Sequence, residues 1–241
     1  MTTAGLGAPS YPVALKQHAD YCSALEKCGL TLTFLEADPA YPDSTFVEDA
    51  AVLTGSGAML TRPGAPSRRG EVQSIRQLLR NFLSPSIIQT IQGPGTIDGG
   101  DVCEAGDHFF IGISERTNQA GAEQLAGWLA SLGFTSTFVD IRQESTLLHL
   151  KSGLAYLGEH RLVVTDALAR REEIASYEHI CVSPEEEYGA NCVRINDDVL
   201  IPSGCVKLGE RLEQSGYRTM ALAMSEFQKM DGGLSCLSLR F

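Results

Sequence analysis

The chain has 241 residues, 43% of them hydrophobic and 20% charged, with a formal net charge of −11. A chain of that length and composition buries a substantial core and reads as one globular domain, residues 1–241, rather than a disordered or fibrous protein. The negative charge argues against nucleic acid or an anionic membrane as a partner and mildly favours a cationic ligand; no apolar run reaches membrane-spanning length, and "MTTAGLGAPSYP" lacks the basic start and apolar stretch of a signal peptide.

In chain order, a loop-like "MTTAGLGAP" leads into a predicted helix, "YPVALKQHADYCSALEKC". That helix ends at Gly29 and a strand is expected to start at once, in "ALEKCGLTLTFLEAD". The same passage recurs in "WLASLGFTSTFVDI" from Trp128 and "RLEQSGYRTMALAM" from Arg211, and more loosely in "LLRNFLSPSIIQTIQ" and "ALARREEIASYEHICVS". Glycine suits the junction because a helix C-terminus favours a residue tolerant of positive φ. Between these passages lie four hairpins, "DAAVLTGSGAMLTRP", "DVCEAGDHFFIG", "GLAYLGEHRLVVT" and "NCVRINDDVLIP", each made of two period-two apolar runs broken by turn residues. The unit is strand–strand–helix–strand, repeated at roughly 40 to 55 residues.

Five such units are expected to close into a pseudo-symmetric ring. The fifth hairpin has one predicted strand only, "CLSLRF" at the C-terminus, so the first strand of the ring is expected to be missing from the N-terminal side. That would leave the C-terminal strand as an unpaired edge, with a homodimer as one way to cover it.

Seven cysteines (Cys22, Cys28, Cys103, Cys181, Cys192, Cys205 and Cys236) form no C-x-x-C pair. An odd count in a chain this size suits a reducing cytosol and offers no zinc-binding spacing. Most are read as small buried apolar groups.

The polar residues that a core would not select fall at one place in the repeat, between the strand after each helix and the next hairpin. They are Asp43, Glu48 and Asp49 in "AYPDSTFVED", Asp98 and Asp101 in "GPGTIDGGD", His149 in "ESTLLHLKS", the acids of "PEEEYGAN", and Cys236 after "DGGLS". Taken singly, each has a plainer explanation: Asp98 before Gly-Gly is a turn residue, His149 a hydrogen-bonded core histidine, Cys236 a packing thiol. Equivalent positions in a closed ring would bring them to one cleft, and jointly they point to a site. The other histidines, His18, His108, His160 and His179, are read as structural.

The strings "YPDSTFVEDAAVL", "TRPGAPSRRGE", "IDGGDV", "GISERTN", "LHLKSGLAYL", "EEEYGANC" and "DGGLSCLSLRF" closely resemble the dimethylarginine dimethylaminohydrolase family of the pentein, or guanidino-group-modifying, superfamily, in the same order over nearly the whole chain. The resemblance implies an α/β fold, a five-bladed pseudo-symmetric ββαβ propeller, here lacking its first N-terminal strand, and "MTTAGLG" resembles the tail of a lid. It implies Cys236 as nucleophile, His149 as general acid and base, and Asp98 as the carboxylate orienting the histidine. It also implies Asp49 with Glu48 on the substrate guanidinium, Asp43 near the α-amino group, Arg68 and Arg116 on the α-carboxylate, Phe46 lining the pocket, and Met230 contributing backbone near the substrate's amino end. The tandem Arg68-Arg69 leaves open which guanidinium points inward.

The implied reaction converts Nω-methylated arginines to citrulline and a methylamine, with a small-molecule guanidinium as substrate, no metal and no organic cofactor. The chemistry needs these residue types. A guanidinium is a resonance-stabilised, poor electrophile; a carboxylate pair can fix it for in-line attack, and a thiolate supplies the nucleophile. Two rivals stand beside it. An arginine deiminase uses the same residue types, though its usual helical insertion is absent here. A non-catalytic ring protein has no need of Cys236, His149, Asp98 and two substrate arginines.

Overall fold

The computed structural model describes residues 5–241. After α1 (Tyr11–Lys27), β1 (Ala51–Thr54) and β2 (Gly57–Leu60) form an antiparallel hairpin, α2 (Val72–Leu79) crosses over, and β3 (Ile88–Thr90) returns parallel to β2. The pattern repeats in β4 (Val102–Ala105), β5 (His108–Ile113), α3 (Gln119–Ser131) and β6 (Thr135–Asp140), and again in β7 (Leu154–Tyr156), β8 (Arg161–Val164), α4 (Asp166–Ala169) and β9 (Glu178–Cys181). It recurs once more in β10 (Val193–Ile195), β11 (Asp198–Pro202), α5 (Val206–Gln214) and β12 (Arg218–Leu222), before the short α6 (Ser225–Gln228). Four three-stranded sheets result, each a hairpin plus one parallel strand. A tight turn joins antiparallel neighbours, whereas a parallel neighbour requires a crossover, which the helix supplies.

The helix exits follow the expected chemistry. Gly29, Gly133 and Gly216 adopt φ of +91°, +90° and +89°. In each, the glycine N–H and the next residue's N–H donate back into the last helical turn, as in Gly133 to Ala130 and Phe134 to Leu129, so carbonyls left over at the helix end are satisfied.

Every hairpin is preceded by a short 3₁₀ turn: Val47–Ala50, Gly99–Asp101, Leu150–Ser152 and Pro184–Ala190, with a further one at Ser235–Leu237. These turns occupy the place where the sequence collects its polar residues. The fifth unit departs from expectation. "TLTFLEAD" after α1 and "CLSLRF" at the end form no strand; Cys236 lies in the last 3₁₀ turn instead. In the four regular units the strand after the helix pairs with the one before it, and residues 5–10 before α1 form no strand to pair with. The expected lid tail lies, in its first four residues, outside the described residues.

The chain packs as two compact units. One comprises Leu35–Lys151 with Cys236–Phe241, the other the residues up to Phe34 with Ser152–Ser235. In the first, Ala122, Leu125 and Leu129 of α3 are fully buried against Phe109 and Ile111 of β5. Their i, i+3, i+7 spacing makes one helical face apolar, and each large side chain buried there contributes roughly 1.5–3 kcal/mol. A second core in the same unit joins β1, β2 and α2, with Leu239 against it. The other unit is built on Val163, Ile180, Val199, Leu208 and Leu212. No helix among the described residues is long and apolar enough to cross a membrane.

Candidate active site

Three of the 3₁₀ turns in the first unit converge their polar residues. Asp98, immediately before Gly99–Asp101, is wholly buried. Its Oδ1 accepts from the Gly64 N–H at 2.9 Å and its Oδ2 faces His149 Nε2 at 3.1 Å. The same nitrogen lies 4.0 Å from Asp49 Oδ1. Asp49 is fixed in turn: Oδ1 accepts from Gly100 N–H at 2.9 Å, and Oδ2 pairs with Arg68 Nη1 at 2.5 Å. The Gly-Gly pair is what allows this approach. A Cβ on Gly99 would lie 2.0 Å from the Glu48 carbonyl oxygen, and one on Gly100 2.7 Å from His149 Nδ1.

Electrostatics follow from that clustering. Burial disfavours the imidazolium, but Asp49, Asp101 and Asp98 outweigh it and push the His149 pKa up to about 9. Burial alone would raise Asp49, yet His149 and Arg68 hold it below the usual carboxylate range. The histidine is therefore a protonated acid at neutral pH, flanked by carboxylates.

Glu48, adjacent to Asp49, is also buried and bonds Lys151 Nζ at 2.6 Å. Phe46 is buried; Asp43 is exposed. The carbonyl oxygens of both accept from Arg68 Nη2, at 3.2 and 3.3 Å.

The tandem arginines separate clearly. Arg68 is the buried one, its guanidinium forked onto Glu71 (Nε to Oε1 3.0 Å, Nη2 to Oε2 2.8 Å) as well as onto Asp49. Arg69 donates from Nε to the Pro63 carbonyl. Thus Arg68, which the resemblance implies on a substrate carboxylate, is turned inward and holds Asp49 here. Arg116 is more open, its side chain 29% exposed and Nη1 4.0 Å from Asp98 Oδ2.

Cys236 is half-buried and belongs to the same compact unit as Asp49, Asp98 and His149. All seven cysteines lie outside disulfides. Met230 follows α6 in the other unit, its N–H bonded to the Phe227 carbonyl.

Residues that carry the site without having been singled out for it are Glu71, Lys151, Ser114 and Thr117, and Asp101, which had been grouped with the polar residues but given no role. Glu71 sits three residues after Arg68 and Asp101 three after Asp98, the spacing at which a 3₁₀ turn aligns side chains, so a signal existed for both.

Asp49, Asp98 and His149 also present ligand atoms within 4.8 Å of one another, the spacing a metal ion needs. The donor chemistry fits poorly. Asp49 is already charge-paired with Arg68, and a metal would have to displace the proton that the surrounding carboxylates favour on His149.

A family profile described as arginine deiminase matches residues 34–187. The N(G),N(G)-dimethylarginine dimethylaminohydrolase of Pseudomonas aeruginosa is 41% identical over 241 residues, covering 100% of this chain and 93% of that one. A solved structure of the P. aeruginosa enzyme, a cysteine-to-serine mutant complexed with citrulline, superposes with a TM-score of 0.96 at 40% identity, over 100% of this chain and 93% of that one. The N-terminal domain of ArgZ, a cyanobacterial arginine dihydrolase, shares the fold at a TM-score of 0.88 and 20% identity, over 100% of this chain and 91% of that one.

Proposed function

The chain belongs to the dimethylarginine dimethylaminohydrolase family, and from that premise we propose that it hydrolyses asymmetric dimethylarginine and monomethylarginine to L-citrulline plus dimethylamine or methylamine. The observation that carries the reading is the buried Asp98–His149–Asp49 cluster, a charged acid set between carboxylates in the unit that also holds Cys236.

Asp49 receives the substrate guanidinium. A carboxylate offers about four acceptor positions, and the Gly100 N–H and Arg68 occupy two. Pairing fixes the guanidinium carbon for the Cys236 thiolate, which forms the C–S bond. His149 then gives its proton to the departing amine as the C–N bond breaks, leaving an S-alkylthiouronium. The bound cation has meanwhile worked against the imidazolium, so His149, once neutral, can take a proton from water. Hydroxide adds to the same carbon, the C–S bond breaks, Cys236 returns as thiolate, and the O–H proton leaves to solvent, where the released amine takes one up, so that the citrulline carbonyl forms. Asp98 keeps the ring oriented throughout. Arg116 holds the substrate α-carboxylate; Arg68 would join it only by leaving Asp49 and Glu71. Asp43, Phe46 and Glu48 complete the proposed contacts. Seven cysteines outside any disulfide support a cytosolic setting.

The match to the arginine deiminase profile favours one second reading, turnover of arginine itself. Incubation with asymmetric dimethylarginine and, separately, arginine, following citrulline with Cys236→Ser as control, separates the two. Citrulline from the methylated substrate alone supports the proposal, turnover of arginine alone replaces it with a deiminase, and citrulline from neither removes both.

A further inference from the structure

Asp101 is assigned no chemical step, yet it faces His149 and its hydrogen bonds run to the backbone around several of the groups that are. It is wholly buried at the end of the Gly99–Asp101 turn. Its Oδ1 accepts from the N–H of Leu150, the residue after His149, at 2.9 Å. Its Oδ2 accepts from both Ser114 Oγ and Thr117 Oγ1 at 2.6 Å. Those hydroxyls are themselves acceptors. Ser114 Oγ receives the N–H groups of Arg116 and Thr117 at 3.0 and 3.1 Å, and Thr117 Oγ1 receives the N–H of Asp98 at 3.2 Å.

The proton count leaves little choice at the centre. An amide N–H only donates, and each hydroxyl has a single proton, which it directs at Asp101 while its lone pairs take backbone N–H groups. All three partners of Asp101 therefore donate, and only a group that accepts at both oxygens satisfies them. We propose, resting on the catalytic reading above, that Asp101 is a positioning residue for the reaction: accepting through both oxygens, it locks together the chain bearing His149, the turn bearing Arg116 and the backbone of Asp98. An asparagine fits the space but not the protons. With its NH2 toward the hydroxyls, one N–H meets Ser114 Oγ, whose two lone pairs already take N–H groups; turned the other way, the NH2 meets the Leu150 N–H. Burial pushes the Asp101 carboxyl above the usual carboxylate range, the neighbouring His149 and the three donors work in the opposite direction, and the local dielectric makes an unsatisfied member costly. The groups facing His149 are Asp49, Asp98 and Asp101, with Arg68 behind Asp49 and Arg116 beside Asp98.

The test uses the full chain as Asp101→Asn, Thr117→Val and Thr117→Ser. Two readouts run together: steady-state citrulline formation from asymmetric dimethylarginine, and the ring resonance of His149 in ring-labelled protein, assigned among the five histidines with a His149→Asn variant. A loosened lock lowers kcat about 100-fold with KM within about threefold, because misplacement by about 1 Å is enough for a loss of that size. Thr117→Val, which removes a hydroxyl but no charge, lowers kcat in the same direction, and Thr117→Ser recovers most of what Thr117→Val loses. In the spectra, the single His149 resonance splits or broadens in Asp101→Asn and Thr117→Val and is restored in Thr117→Ser. A kcat within threefold of the parent in Asp101→Asn, or a His149 resonance that stays single in both damaging variants, overturns the proposal. Should the parent chain form no citrulline, the catalytic reading fails by itself, and the resonance decides whether Asp101 holds His149 in place.

Discussion

Two 3₁₀ turns occupy the same place in the repeat and use their carboxylates in opposite ways. At 98–101, Asp98 points one oxygen at a titratable side chain, His149 at 3.1 Å. At 184–190, Glu186 is nearly as buried, but its oxygens accept from the N–H groups of Lys207 and Leu208, each at 2.9 Å, where they cap the start of α5. The following Asn191 is likewise structural, exchanging two hydrogen bonds with Ser235. Position in the repeat thus makes a buried acid available without deciding its use. The partner decides: an imidazole couples the carboxylate to a group that can carry a proton, whereas two backbone amides turn it into a helix cap.

The sharpest way to break that contrast is to remove the groups on one side of it. Cys236→Ser should lose nearly all turnover, and Asp98→Asn about 10²- to 10⁴-fold in kcat, with folded, cooperatively melting protein in both cases. Steady-state citrulline assays check this; an Asp98→Asn enzyme near parental rate would place Asp98 with Glu186 among the structural acids. Arg68→Lys comes next. The fork onto Glu71 and Asp49 cannot be reproduced by an ammonium, so if Arg68 holds Asp49 in place, kcat falls by about 10- to 100-fold with little change in KM. A rise confined to KM would instead return Arg68 to the substrate carboxylate.

Much of this fold was legible because its signals are local. The four hairpins announce themselves by period-two runs around turn residues, and Gly29, Gly133 and Gly216 by their place at a helix end. "CLSLRF" misled for the complementary reason. It alternates as a strand does, but a strand also needs a partner, and pairing is a property of distant chain. The site divides along the same line. Asp98 and His149 are 51 residues apart, and only their shared place in the repeat hinted that they meet. In "SRRGE" the three-residue step from Arg68 to Glu71 is only a hint of which arginine turns inward; the buried Glu71 settles it in space, through three hydrogen bonds to Arg68.

The pH dependence of stability gives a smaller, signed test. The His149 pKa rises on folding from the ordinary 6.5 to about 9, so its contribution is fully present below 6.5 and is lost as pH climbs through about 9. The difference is on the order of 3 kcal/mol. Asp49, held low mainly by the same imidazolium once burial is overcome, is the other half of that pair and adds no separate amount. Chemical denaturation from pH 6 to 10 should show stability falling in the parent chain and a flatter profile in His149→Asn.

The smallest expected effect tests the structural side of the comparison. Glu186→Ala strips two N–H groups at the start of α5 of their acceptors, and loss of a cap costs about 1–2 kcal/mol. In a chain of this size that lowers Tm by roughly 2–8 °C. Turnover should stay within about threefold of the parent, since the acid faces no group that changes protonation during the reaction. Thermal melts and citrulline assays on the same preparation measure both. A Glu186→Ala chain that melts normally but loses most of its rate would mean that the partner seen by a carboxylate is not what separates the two turns.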